Sequence, residues 1–300
     1  MTTITSFLVA LGFFAGITTL QAQVTLSFNP ETGVTYRYQT EVAQQMTQSL
    51  MGQTITIENS IRIGYDMVVT EKNTEQINVK FTYRDVAIQV SSPASSFRYD
   101  SRKPTENSSQ GDEMMKKIFT PLIGQPYNAA LSPDGSVISV WGLEAIAGSI
   151  AKSLAGMNES AVAGEMLKSV LNNEAIKSSI EQSFKIYPDK AVQPNDTWTI
   201  VQTMNVGGMH ASAESVYRLQ SVTADAAMVS VSSLLRLSAF EGMSGNLEGT
   251  IQDGRLEIDL KTGLPRHSDI TQNITGTITT QGMDVAMKIV SAIKAEVHVQ

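Results

Sequence analysis

Few residues in this sequence could do chemistry, and they are scattered. The three histidines are His210, His267 and His298. A serine–histidine–acid set gathered from distant segments would make a hydrolase. However, no HExxH, GxSxG, GxGxxG or phosphate-loop pattern accompanies them, and histidines on strands more often have no role. Asp253, Glu257 and Asp259 bring carboxylates close together, as a Ca²⁺ site or a glycosidase pair requires. Because they alternate with Leu256, Ile258 and Leu260, a solvated strand face is the simpler reading. No acidic loop has EF-hand spacing. Cysteine is absent, which removes disulfides, thiolate metal sites and cysteine nucleophiles. The expectation is no catalytic residue, no metal and no cofactor.

The densest passage is "FKIYPDKAVQPNDTWTI", Phe184–Ile200, with two prolines and one of the two tryptophans. Pro188 must stop a helix. "YPDK" and "QPND" are turn chemistry, and "DTWTI" opens a strand with Trp198 and Ile200 on one face. The charges fall where a chain changes direction in water, so the passage reads as a structural hinge rather than a catalytic loop.

The elements around these residues are mostly strands. From Ile55 to Val69 the odd positions are largely apolar and the even ones largely polar, which predicts a strand with one buried face. After the turn "TEKNTEQ", Ile77, Val79, Phe81 and Tyr83 keep the odd phase. Beyond Arg84 the apolar set moves to Val86, Ile88 and Val90, a switch that predicts a bulge. "GDEMMKKIFTPL" predicts a helix with Asp112 and Glu113 in its first turn. "NAALSPDGSVISV" predicts a short hairpin.

Leu143, Ile146, Ala147, Ile150, Ala151 and Leu154 then follow helical spacing. Asn158 can cap a second helix carrying Val162, Met166, Leu167 and Val170. Asn173 can cap a third with Ile176, Ile180 and Phe184 in one row. Residues 112–184 thus form a mainly helical insert in one β-rich domain spanning 23–300. Alternating strands continue to the C-terminus. Residues 285–299 fit both periods, and strand is the preferred reading. A weak echo of Tyr65, Ile77, Val79 and Tyr83 in Tyr217, Val229, Val231 and Leu235 is no more than two β-meanders would show. The fold class expected is α+β, mostly β: a curved antiparallel sheet, half-barrel-like, with the helical insert packed on it.

Composition limits the partners. The chain has 300 residues, 42% hydrophobic and 17% charged, with a net charge of −7. That balance argues against nucleic acid, whose phosphates need Lys and Arg. Residues 1–22 carry no charged side chain, and the run "FLVALGFFAGI" ends before the small residues near Ala22. This reads as a signal peptide. The run is too short to span a bilayer as a helix, and no later stretch is long and apolar enough. The setting expected is extracytoplasmic, secreted or periplasmic in a bacterium, without a lipid anchor and without an integral membrane segment.

"YDSR" (99–102), "SPDGSV" (132–137), "IYPDKAVQPNDTW" (186–198) and "GTIQDGRLEIDLKTGLP" (249–265) together resemble an uncharacterised family, a domain of unknown function, of secreted Bacteroidota proteins. The resemblance covers most of the chain after residue 22 and implies an envelope setting but no catalytic residue. More loosely, the layout is similar to half-barrel lipoprotein carriers of acyl chains.

A curved sheet with one apolar face needs a cover, and the insert can supply it. An imperfect cover would leave a lipid-sized cavity. The expectation is therefore a non-enzymatic binding module for a lipid or other apolar molecule. Its lining is expected to come from Ile61, Ile63, Tyr65 and Met67 on the sheet, and from Ile146, Ile150 and Met166 on the insert. The flexible thioethers of Met114, Met115, Met157 and Met166 suit an adaptable apolar site and an ordinary core equally. A packed module that binds another envelope protein is the alternative, and a hydrolase the third.

Overall fold

The computed structural model describes residues 23–50, 52–94, 96–103, 109–155, 171–206, 209–238, 243–280 and 282–300. Residues 1–22 and the segment holding Asn158, Val162, Met166 and Leu167 lie outside them.

The strands are β1 (Thr35–Leu50), β2 (Gln53–Lys72), β3 (Ile77–Ser91), β4 (Ser96–Asp100), β5 (Pro126–Leu131), β6 (Val137–Trp141), β7 (Thr197–Val206), β8 (Met209–Val222), β9 (Ala226–Ser238), β10 (Met243–Asp259), β11 (Pro265–Thr280) and β12 (Met283–Val299). The helices are α1 (Gln110–Phe119), α2 (Leu143–Leu154) and α3 (Asn173–Phe184). All 12 strands join one antiparallel sheet in the order β6-β5-β3-β2-β1-β12-β11-β10-β9-β8-β7, with β4 beside β3. The chain therefore runs outward from the middle on one side and back inward on the other. Its terminal strand β12 pairs with β1, with Tyr36 opposite Val299 and Ser49 opposite Ala286. The sheet curls but does not close into a barrel.

Alternation explains the faces. On β1, even residues from Tyr36 to Gln48 point inward and face Met67 through Ile55 on β2. The predicted phase switch is a bulge: Gly64 pairs with Asp85 and Tyr65 with Tyr83, leaving Arg84 as the extra residue. Below it the inner set is Tyr83, Phe81 and Val79; above it, Val86 and Ile88. Tyr65 and Tyr83 pair across β2–β3, whereas Tyr217 pairs with Val231. The two hairpins thus differ in register, and the sequence echo does not extend to pairing. Residues 285–299 are strand throughout.

The hairpin inside the insert is not an appendage. It supplies β5 and β6, the last strands on one side of the sheet. Helix α3 packs on both β6 and β7, the two ends of the strand order. Its Glu181 ties both: Oε1 accepts the Val137 amide at 2.9 Å, and its carbonyl accepts Gln202 Nε2 at 3.0 Å. The seam of the curled sheet is thus bridged by a helix rather than by strand pairing. The cap of α3 is Asn172, one residue before the one expected, and its side chain accepts the Ala175 amide. Ser109 and Asp112 form a reciprocal capping box on α1, which satisfies two amides that the helix itself leaves unpaired.

The core lies at one end, where Leu143, Ile146, Ile150 and Leu154 of α2 and Ile176, Ile180 and Phe184 of α3 meet the inner face. The segment around Leu26 and Phe28 crosses this end. The Phe28 amide donates to the Pro133 carbonyl and the Asn29 amide to that of Thr262, both at 2.8 Å. Toward the other end, a second cluster is formed by sheet residues alone, including Ala211, Leu235, Leu247 and Ile274.

Candidate functional site

The four sequence motifs turn out to be clasps. In "YDSR", Arg102 lies 2.8 Å from the carboxylate of Asp85, and the Ser101 hydroxyl accepts the Val86 amide at 3.0 Å. Asp85 is buried on the outer face, with Arg62 at 3.7 Å and Arg84 at 3.9 Å. It fits because its neighbour is Gly64, where a Cβ would come within 2.4 Å of Oδ2. Sequence reasoning missed this cluster, because only the bulge brings Asp85 against three arginines. In "SPDGSV", Asp134 binds Ser132 and Ser136 to close the β5–β6 turn.

In "IYPDKAVQPNDTW", the Tyr187 hydroxyl donates to the Gly263 carbonyl at 2.7 Å and Trp198 Nε1 to that of Ile186 at 2.8 Å. The loop carries the chain from the end of α3 to the start of β7, the change of direction that its turn chemistry predicted. In "GTIQDGRLEIDLKTGLP", Asp259 accepts both the amide and the hydroxyl of Thr262, each at 2.7 Å, and pairs with Arg266.

Burial pushes the Asp259 carboxyl up. The Thr262 hydrogen bonds and Arg266 outweigh that and leave it below the usual value. A carboxyl lowered by folding stabilises above its unfolded pKa of about 4, and that stabilisation is lost as pH falls through the folded value. Asp259→Asn should therefore flatten the acid limb of a melting-temperature profile between pH 6 and 2.5. A variant whose acid limb has the same slope as that of the unaltered protein would remove this role.

His267 and His298 stand exposed on the outer face, each 3.7 Å from Glu296, and His210 lies on β8. Among the described residues no group of three or more His, Asp or Glu could hold a metal.

Three concavities remain to be weighed, of which one, about 670 Å³, lies between α3 and β7–β10 with Glu174, Arg236 and Glu248 in its lining. A broad depression of about 1030 Å³ lies over β1–β4 and β12, where Arg62, Arg98, Lys103 and Lys294 mix with Glu41 and Asp100. An inner cavity of about 300 Å³ lies between the C-terminal turn of α3 and the inner face of the sheet. Gln182, Ser183, Phe184 and Ile186 form its roof, and its walls come from β1, β2 and β7–β12. No charged side chain is among the described residues that line it. The apolar wall includes Tyr65, Leu235, Ile251 and Ile270, and polar groups come from Tyr38, Thr40, Ser215, Ser233, Ser268 and Gln272.

Strand register sets these polar groups in rows. Ser215, Ser233, Ile251, Gln272, Ser291, Gln44 and Asn59 are successive partners across seven strands. Within that row the Ser215 and Ser233 hydroxyls are 2.7 Å apart, Asn59 donates to Gln44 at 2.9 Å, and Gln44 donates to Ser291 at 3.2 Å. Nearer the core, Tyr38 stacks on Tyr65 with ring centres 4.8 Å apart and meets Phe184 edge-on at 5.9 Å. The Tyr38 hydroxyl is buried and has no hydrogen-bond partner among the described residues. Burial, with Tyr65, Tyr187 and Tyr36 nearby, holds it well above the ordinary tyrosine value, so it stays protonated. Burial also pushes Tyr217 up to about 12, with the Ser215 hydroxyl acting the other way.

Of the residues expected to line a site, Tyr65 is on the cavity wall. Met67, Ile146 and Ile150 are fully buried in the packed core. Ile61 and Ile63 are half-buried on the inner face, and Ile61 also borders the outer depression. Met166 lies outside the described residues. The polar members of the wall were missed, because serine and glutamine at inward positions of a strand look like breaks in alternation rather than like a site.

The fold and its cavity define a helix-plugged, curled antiparallel sheet. The chain belongs to a family of unknown function, DUF6263, whose model matches residues 74–265. That span contains all four motifs. No curated protein matches the sequence. Among solved structures, the chain is similar to lipovitellin, described for its lipid–protein interactions. The TM-score is 0.51 at 10% identity, over 90% of this chain and 26% of that one. It thus spans about a quarter of that chain's length, and at this identity the likeness concerns the fold alone. OccK7 of Pseudomonas aeruginosa (TM-score 0.21, 8% identity, 89% of this chain and 100% of that one) and the NalP translocator domain of Neisseria meningitidis (0.19, 9%, 88% of each) also overlap. At those scores the overlap carries no argument. No helix among the described residues is long and apolar enough to cross a membrane.

Proposed function

We propose that the protein is a non-enzymatic binding protein that holds a lipid or other apolar small molecule in the cavity beneath α3. The observation that carries this reading is the cavity itself: about 300 Å³, roofed by a helix, and lined by aromatic, aliphatic and uncharged polar side chains. Ligand sites are concave, mostly apolar and furnished with a few polar groups, and this one has that composition. The likeness of fold to lipovitellin is consistent with it. The proposal includes an extracytoplasmic, envelope setting, resting on the signal-like residues 1–22.

The competing reading is an envelope module that binds another protein. It is favoured by Ile138 and Trp141 on β6 and Val201 on β7, which are exposed along the strands flanking the seam.

Native mass spectrometry of the protein purified from a bacterial periplasm, followed by solvent extraction, separates the two. A stoichiometric apolar molecule lost on extraction is the expected result. A clean apo mass that takes up no added alcohol, fatty acid or phospholipid would overturn the binding reading in favour of the protein-binding one.

A further inference from the structure

We infer that the ligand is electrically neutral and carries a hydroxyl or carbonyl group, like a fatty alcohol or acylglycerol, which Tyr38 hydrogen-bonds inside the cavity. This rests on the binding reading above and sharpens it.

Two independent observations point there. First, the described residues that line the cavity include no Asp, Glu, Lys, Arg or His. An ionised carboxylate or phosphate drawn fully under α3 would lose its water and gain no counter-charge from these residues, a penalty that disfavours it. A carrier of free fatty acids or phospholipids would need a cation at the end of the chain. Of the cationic residues around it, Arg62, Arg98, Lys103 and Lys294 border the separate depression over β1–β4 and β12, and Arg236 borders another beside α3, together with Glu174 and Glu248.

Second, the cavity is not purely apolar. Tyr38 lines it, and its buried hydroxyl has no hydrogen-bond partner among the described residues. A buried polar group left unpaired is costly and rare in folded proteins; the hydroxyl is closed off from the free space of the cavity, so a ligand oxygen would relieve it by a turn of the Tyr38 ring. The phenol stays protonated, so it can donate. Thr40 and Ser268 flank Ala295 in the neighbouring row and supply further uncharged partners. The Ser215–Ser233 pair and Gln272 do the same deeper in the wall. An alkane would leave Tyr38 unsatisfied; an anion would lack a cation; a neutral molecule with one oxygen at the end of an apolar body meets both conditions.

The cavity holds the volume of about ten water molecules in the liquid, so decyl chains are suitable probes. Isothermal titration of the delipidated full chain with 1-decanol, sodium decanoate and decyltrimethylammonium at pH 7.5 tests the inference. Decanol should bind at least about tenfold more tightly than either ion. Tyr38→Phe removes one oxygen and keeps the ring, and should weaken decanol by about three- to tenfold while leaving the melting temperature of the apo protein unchanged or higher.

Decanoate binding as tightly as decanol would overturn the neutral-ligand inference and leave the binding reading standing. Decyltrimethylammonium binding as tightly would do the same. Binding of none of the three would overturn both. Equal decanol affinity in Tyr38→Phe, with the preference over decanoate intact, would overturn the role of Tyr38. Should Tyr38→Phe fold poorly, Thr40→Val with Ser268→Ala reads the same polar wall. Decanol affinity about three- to tenfold lower than in the unaltered protein, with decanoate still weaker, is then the supporting result, and unchanged decanol affinity the opposing one.

Discussion

Gly135→Ala is expected to cost about 4 kcal/mol or more, at the upper end of what single substitutions do. Gly135 sits in the β5–β6 turn at φ +81°, where a Cβ is strained. The decisive term is space: that Cβ would lie 1.8 Å from the Phe184 carbonyl oxygen and 2.3 Å from its carbon. Neither atom can rotate away, since both are backbone at the end of α3. The turn would have to lift off the helix, and with it the bond from the Val137 amide to Glu181 that holds β6 at the seam. Gly33 is the control. Its φ is +79°, but nothing lies within 4 Å of a built Cβ, so Gly33→Ala should cost only the conformational strain, about 1–2 kcal/mol. Urea denaturation of both variants checks this. Similar midpoints for the two would mean that the turn does not clamp α3.

Phe184→Ala is expected to cost about 3–5 kcal/mol, the range for deleting a buried phenyl. The ring is 1% exposed and packs on Phe28 with ring centres 5.0 Å apart, and on Tyr38. It is also part of the cavity roof. Deletion should therefore do two things at once: lower apo stability and enlarge the cavity. Under the proposed function, the affinity ratio of dodecanol to decanol should rise in the variant, because a longer chain can fill the space left by the ring. An unchanged ratio with the full loss of stability would show that Phe184 belongs to the core and does not bound the ligand space.

The sequence by itself determined the local elements. Alternation from Ile55 to Val69 appears as β2, the switch after Arg84 as the bulge at that residue, and the row of Ile176, Ile180 and Phe184 as the buried face of α3. These follow from side-chain direction, which has period 2 in a strand and 3.6 in a helix and needs no knowledge of the partner. Residues 285–299 fit both periods, and the tie was broken only by β1 and β11 on either side of β12. The cap at Asn172 rather than Asn173 is a similar case, since adjacent asparagines offer the same oxygen one residue apart.

Tertiary structure alone decided the strand order, the seam and the site. The β1–β12 pairing joins residues over 230 positions apart, and no local pattern encodes such a contact. Nor does a local pattern reveal that the hairpin within the insert becomes an edge of the sheet, or that α3 lies between the two edges. The expected lining shows the consequence. Met67, Ile146 and Ile150 are apolar and inward-facing, and those same properties bury them in the packed core. A cavity forms where inward-facing positions are left uncovered. Whether Tyr38, Ser233 or Gln272 meets a helix or a void depends on where α3 ends above a curled sheet, and that is a property of the assembled fold.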